Sequence, residues 1–369
     1  MSLSQLHSLP LEEQEAILEG PALKPPPGVV VNLENPPNGN TLAITVTTVL
    51  LALASIFSLV RVYSRVYCVK HFHFVDYIAF AGFSMYVAYG YILYRLTGVG
   101  HFVHQYDIRV KNLAEFLYSI HLGSVFYAVA LGTLKPAILI EWERIFSPHR
   151  THPKFYWTCR IMTVVTIVYY ISALIAGNLS CFPFEYIWNK TIPGKCFHRK
   201  ALDVSTAALN FLSHILILLL PQTIIWRLQM TLLRKIGVAI VFAVGLIAVI
   251  SAGFRLAVTI TYLDVADSTY SVSPVALWAF AEMTAIILVF TVPSVPKTFD
   301  ACRRKLSPMF SSISWTRLSS TKHRQSKWPG SGTGGSDPPT AQGYSTGNES
   351  GVALQPLSKA ISNHSHQTV

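Results

Sequence analysis

The sequence predicts an all-α fold, a bundle of seven membrane-crossing helices, and three observations predict it. The chain's 369 residues are 51% hydrophobic and only 13% charged, where soluble domains carry about 25% charged residues. The apolar residues gather into seven runs, each long enough to cross about 30 Å of hydrocarbon. The basic residues behind the formal net charge of +11 fall between those runs and in the tail. That is the pattern of a chain inserted in a membrane, so no nucleic-acid partner is expected.

Residues 1–40 read as an N-terminal tail, polar, acidic and rich in proline (Pro25, Pro26, Pro27, Pro36, Pro37), with a short acidic helix over 11–18. No cleavable signal peptide is visible, which leaves the first span to direct its own insertion. That span covers 41–60 and is followed by a basic link with Arg61, Arg65 and Lys70. The second, 76–94, is rich in tyrosine (Tyr77, Tyr86, Tyr89, Tyr91, Tyr94), a residue suited to the membrane–water boundary. A polar loop beginning Gly98-Val99-Gly100-His101 leads to the third span, 115–140, which ends at Glu141-Trp142-Glu143-Arg144. The fourth span is 157–177. The longest connection, 178–203, holds Cys181 and Cys196. The fifth span is 204–226, the sixth 237–262 and the seventh 275–293, the last two joined by a short acidic link. The helical domain thus covers 41–299. Residues 300–369 start basic and turn rich in Gly, Ser, Pro and Thr without apolar periodicity, a composition expected to be a disordered tail.

An odd number of spans puts the termini on opposite sides. Lys and Arg are more numerous in the links after the first, third and fifth spans and at the start of the tail, with Arg144, Arg150, Lys154, Arg234 and Lys235 among them. The bias places the N-terminus outside and the C-terminus in the cytosol. Two sequons in the fourth link agree, Asn178-Leu179-Ser180 and Asn189-Lys190-Thr191, since glycans are added on the lumenal side. Asn178 sits too near the membrane, so Asn189 is the better acceptor. Cys181 and Cys196 share that link, where an oxidising compartment permits a disulfide. The membrane itself is either the plasma membrane or an endomembrane.

A full charge inside a span is costly and is normally turned inward and partnered. The sixth span carries Arg255 and the seventh Glu282, each about 10 Å from the same end at a 1.5 Å rise per residue. They are expected to meet as a buried ion pair. His121 on the third span and Asn210 with His214 on the fifth lie near the same level, and Trp278 is one turn from Glu282. Together these six form the expected polar network or ligand pocket. Lys135 lies close to the cytosolic end of the third span and is expected to snorkel outwards. The seventh span has no lysine for a retinal Schiff base, and no HExxH, GxSxG or Walker loop occurs. Five cysteines without a CxxC pair offer no zinc or redox site. Neither catalytic residues, nor a metal, nor a cofactor is assigned.

Taken in order, a set of short stretches resembles the fungal rhodopsin-domain integral membrane proteins, the group of the satratoxin-cluster membrane protein, related to Pth-type receptors. They are Arg61-Val62-Tyr63-Ser64-Arg65, Asp76, Gly98-Val99-Gly100-His101, Lys135-Pro136-Ala137-Ile138-Leu139 through Arg144-Ile145-Phe146, Cys181-Phe182-Pro183, Trp188, Cys196, Asn210, Pro221, Trp226-Arg227-Leu228-Gln229-Met230, Arg255, Trp278 and Glu282. The likeness spans about 9–299. His214 stands where the family often has Asp, Thr291 where it has Cys, and Pro136 where serine often follows the lysine. The eight-cysteine extracellular domain of some Pth-type receptors is absent. The resemblance implies a seven-helix membrane fold. Three functions remain open. The first is a G-protein-coupled-receptor-like sensor of a small apolar ligand, with a heterotrimeric G protein at its cytosolic links. The second is a membrane enzyme or accessory protein of secondary metabolism, and the third a transporter.

Overall fold

The computed structural model describes residues 10–148, 151–225, 232–263, 265 and 267–294. The expected disordered tail, 300–369, lies outside the described residues. Among the described residues, seven helices are long and apolar enough to cross a membrane. In chain order the helices are α1 Leu11–Glu19, α2 Asn40–Tyr63, α3 Phe74–Val99, α4 Val110–Phe146, α5 Pro153–Asn178, α6 Arg199–Ile225, α7 Leu232–Leu263 and α8 Ser268–Thr291. Between α5 and α6, the two-residue strands β1 Cys181–Phe182 and β2 Lys195–Cys196 pair antiparallel. Cys181 faces Cys196 in that register and is disulfide-bonded to it.

Several helices outrun their apolar runs. The seventh span begins at Ser268, because the Asp267 side chain accepts from Tyr270 N and caps the helix. Pro274 lies inside it, in the second turn, where it has no N–H to give the helix. The third span runs from Val110 to Phe146, well past the hydrocarbon, since the polar residues at either end keep their helical hydrogen bonds in water as well as in lipid.

α8 is the most buried span, with Phe280, Glu282 and Met283 at 0% exposure. Its ring of Phe280 stacks on Tyr86 of α3 at 4.4 Å, and Tyr86 Oη lies 2.8 Å from Thr284 Oγ1. α3 and α4 approach closely at Gly82, where a Cβ would stand 2.6 Å from Thr133 Oγ1. α5 turns Val164, Val165, Val168, Ile171 and Ile175 outwards, an apolar face that lipid covers.

A second polar cluster knots the opposite ends of the helices. α2 ends with Arg61 turned inwards and runs on through a π-helical turn, Ser64–Val69, that carries Arg65. Arg61 Nη2 stands 2.8 Å from Asp76 Oδ1 of α3, and Arg65 Nη2 stands 2.8 Å from Glu141 Oε1 of α4. Arg61 Nη1 donates to the Phe290 carbonyl of α8 at 2.8 Å. Both arginines are buried, so they are not free charges of a basic link. A helix-end arginine pair four residues apart reads the same in sequence whether it faces water or carboxylates.

On the other side the N-terminal segment is docked. Ala22 N donates to Ile108 O at 2.8 Å, Val110 N to Gly20 O at 3.1 Å and Asn32 N to Asp107 Oδ1 at 2.9 Å. Glu19 of α1 takes both Arg109 and Lys111. The loop beneath it clamps the start of α8: Phe102 N donates to Ser273 Oγ at 2.9 Å, Thr269 Oγ1 to Val103 O at 3.0 Å and Gln105 N to Asp267 Oδ1 at 2.9 Å. Gly100 makes the turn into this loop at φ 143°, a backbone region that favours glycine.

His101 follows that turn. It is wholly buried, and neither ring nitrogen has a partner among the described residues. Burial pushes its pKa down from 6.5 to about 4. The imidazole is therefore kept neutral, and the stability this gives is complete above pH 6.5 and is lost as pH falls towards 4. At 1.36 kcal/mol per unit the effect is about 3 kcal/mol. Thermal unfolding of the purified protein at pH 7, 5.5 and 4 should show this loss. His101→Leu should remove that part of the pH dependence; a His101→Leu curve that falls as steeply as the wild type's would refute it.

Candidate functional site

Spacing on the helices brings the polar groups together. Asn210, Ser213 and His214 share one face of α6 by three- and four-residue steps. Arg255 sits on α7, Glu282 on α8, Tyr127 and Lys135 two turns apart on α4, and Tyr170 on α5. Glu282 is the hub. Its Oε2 accepts from Arg255 Nε at 2.9 Å, and its Oε1 from Asn210 Nδ2 at 2.6 Å. His214 Nε2 stands 2.6 Å from Oε1, which puts the proton on Nε2 when Glu282 is a carboxylate. Tyr127 Oη donates to the same carboxylate, 3.0 Å from each oxygen.

A second layer hangs from Asn210. Its Oδ1 accepts from Lys135 Nζ at 2.8 Å and from Tyr170 Oη at 2.7 Å. Lys135 Nζ also donates to Ser213 Oγ at 2.6 Å. Lys135 has 0% exposure. It does not snorkel, because Asn210 and Ser213 sit within reach of its stem and supply acceptors inside the bundle. One carboxylate thereby gathers α4, α5, α6, α7 and α8.

The other two residues expected at this level lie elsewhere. His121 packs under the α5–α6 connection, its ring 5.9 Å from Trp188 and 5.8 Å from Phe184. α4 is the longest of the spans, so counting from its N-terminal end overstates the depth of His121; Tyr127, further along, reaches the hub. Trp278 stacks on Phe254 at 4.7 Å. Four residues along a helix leave about 40° of rotation, enough to turn Trp278 to the flank while Glu282 faces inwards.

Beside the hub is a cavity of about 120 Å³ lined by α3, α4, α7 and α8. Its walls include Ile92, Leu93, Leu96, Ile120, Val272 and Val275, with Tyr127 and Arg255 at the hub side. Of the six residues expected from the sequence only Arg255 lines it. The Arg255 side chain is 10% exposed, and its Nη2 has no hydrogen-bond partner among the described residues. The guanidinium lies over the Tyr127 ring, 4.9 Å from its centroid. No group of three or more His, Cys, Asp or Glu placed to hold a metal ion occurs among the described residues.

The fungal rhodopsin domain model matches residues 60–301, which takes in α3 to α8 and both polar clusters. The chain belongs to that family. Among its relatives, "Fugralins biosynthesis cluster protein 2" of Gibberella zeae is 37% identical over 284 residues, covering 76% of this chain and 71% of that one. The "SAT4 family membrane protein" of Emericella nidulans is 27% identical, over 60% of this chain and 56% of that protein. "Receptor GIN3" of Arthrobotrys oligospora is 23% identical, over 73% of this chain and 64% of that protein. No solved structure matches. The fungal rhodopsin family is thus where this seven-helix membrane protein stands.

Tyr127, Tyr170 and Ser213 carry no sequence signal that separates them from boundary tyrosines and helix-packing serines. Lys135 does carry one: a lysine beside Pro136 in a long apolar helix, about two turns short of the charged stretch that begins at Glu141.

Breaking a buried pair from one side costs about 3–5 kcal/mol, because the remaining charge is stranded. Glu282→Gln is therefore expected to lower the thermal midpoint of purified protein by far more than the double variant Glu282→Leu with Arg255→Met. Equal losses in the two proteins would show that the pair is not what the destabilisation comes from.

Proposed function

We propose that the protein is a receptor-like sensor of a small apolar molecule arriving from the outer side, coupled at its other face to a heterotrimeric G protein. The observation that carries this reading is the double use of Arg255, which lines the cavity and holds Glu282 at 2.9 Å. A molecule touching Arg255 touches the group that fixes α6 and α4 through Glu282. A ligand shifts an equilibrium only through unequal contact with the two states, and a guanidinium shared between ligand and hub supplies such inequality. The distant likeness to a protein named as a receptor supports the same reading.

A second reading has its own support. The relative in Gibberella zeae is named for a biosynthesis cluster, and His214 with Glu282 is a pair of groups able to move protons. Against it, neither of the two lines the cavity, where an acid–base group would have to meet its substrate.

Membranes carrying the chain and a heterotrimeric G protein should show chain-dependent binding of a non-hydrolysable GTP analogue. Arg255→Gln should change that rate at least threefold at equal chain abundance. An exchange rate indifferent to the presence of the chain ends the receptor reading.

The orientation this reading needs puts the α5–α6 connection outside. Asn189 is prepared for a glycan there: its Oδ1 accepts from Thr191 Oγ1 at 2.6 Å and from Thr191 N at 3.2 Å. Both amide nitrogens donate, Asn189 Nδ2 to the exposed Glu185 Oε1 at 3.1 Å and Asn178 Nδ2 to Leu174 O at 2.8 Å, and Asn178 is the less available because it ends a membrane span. Endoglycosidase treatment should sharpen and speed the gel band of the wild type and leave Asn189→Gln unchanged. Cleavage of an unglycosylated α5–α6 connection by protease added from the cytosolic side would reverse the orientation.

A further inference from the structure

We infer that the cavity beside Arg255 is a binding site for a neutral carbonyl compound with a compact apolar body of about the size of one six-membered ring. This rests on the receptor reading only for its consequence in the cell; the site is argued from its walls.

The size follows from the volume. At about 120 Å³ the cavity is somewhat smaller than the apolar cavities of about 150 Å³ that take up benzene. The chemistry follows from the donors. Four side-chain hydroxyls lie in the lining, and each proton is already spent inside the protein. Ser119 donates to Glu115 O at 2.9 Å, Ser124 to His121 O at 2.7 Å, Tyr89 to Ala276 O at 3.0 Å and Tyr127 to Glu282 at 3.0 Å. Arg255 lines the cavity and carries a buried donor, Nη2, left without an acceptor among the described residues. A buried donor without a partner costs about 1–3 kcal/mol, more when charged, so an occupant that brings one acceptor is favoured over one that brings none.

Water is a poor occupant. Each buried water seeks about three hydrogen bonds, and apart from Arg255 the walls are chiefly Ile, Leu, Val and Ala. Charge narrows the class further. Glu282 already faces Arg255 at 2.9 Å, so a ligand carboxylate would set a second negative charge close to the first. An ammonium would meet the guanidinium. A neutral ketone, aldehyde, ester or lactone oxygen meets neither objection.

The test uses the full-length protein purified in dodecyl maltoside, a detergent without a carbonyl, and cyclohexanone as the probe. Binding is read by saturation-transfer NMR, beside methylcyclohexane, which has the same bulk and no acceptor. Cyclohexanone should bind saturably and at least tenfold more tightly. Arg255→Lys, which keeps the positive charge but lacks the second nitrogen, should bring the two probes close to parity. Val275→Phe fills the cavity without touching the ion pair and should abolish binding of both, so the outcome does not depend on one variant folding. Equal affinity of the wild type for the two probes, or cyclohexanone binding untouched by Val275→Phe, overturns the proposal. Repeating the titration in nanodiscs identifies the natural source of the oxygen. Cyclohexanone weakened by ester-linked but not ether-linked phospholipid means that lipid esters occupy the site, and equal affinity in both means a free molecule does. Cyclohexanone binding with no effect on nucleotide exchange removes the sensor reading and leaves this site standing. Arg255-dependent exchange without cyclohexanone binding does the reverse.

Discussion

A carboxylate at the centre of a membrane bundle has to be surrounded by donors or it is not ionised there at all. Glu282 meets that condition with Arg255, His214, Asn210 and Tyr127, each from a helix other than its own. Because lipid offers no competing hydrogen bonds, the directions of those donors fix the rotation of α4, α6 and α7 about α8. Apolar packing between membrane helices tolerates sliding, since lipid tails are as apolar as leucine. The hub does not. It selects one register out of many that would bury the same side chains.

The second cluster does the same at the other end with a different geometry. Two guanidiniums, two carboxylates and a backbone carbonyl are shared among α2, α3, α4 and α8. Planar guanidiniums suit the task, having several donors in a fixed fork. The stacked rings of Tyr86 and Phe280 join α3 to α8 two residues before Glu282. The cavity meets the first cluster, through Arg255 and Tyr127.

How much of this the sequence carries depends on how unusual each residue is in its setting. Lone charges in apolar runs stand out, so the depth of Arg255 and Glu282 along their spans is enough to pair them. Asn210 and His214 follow from sharing a face. Lys135 defeats the same reasoning, because distance from the helix end is a poor guide when a neighbouring helix offers acceptors at the same height. Arg61 and Arg65 are hidden by the opposite difficulty. Charges at a span's end are so ordinary that their inward turn leaves no mark in composition. Tyr127 and Tyr170 have two roles open to any membrane tyrosine, boundary anchor or internal donor, and only the fold chooses. The cavity is not legible, since a void is defined by side chains from four helices at once.

α8 is fastened at three heights: Asp267 to the α3–α4 loop, Glu282 to the hub and the Phe290 carbonyl to Arg61. A rod pinned at top, middle and bottom cannot slide along its axis or spin without breaking contacts of three different kinds. It is the mast of the molecule. Any change of shape has to be carried by helices that swing around it, and α5 among them is tied to the polar core by Tyr170, to α6 by Tyr169 and to Glu143 of α4 by Arg160 while its outer face meets lipid.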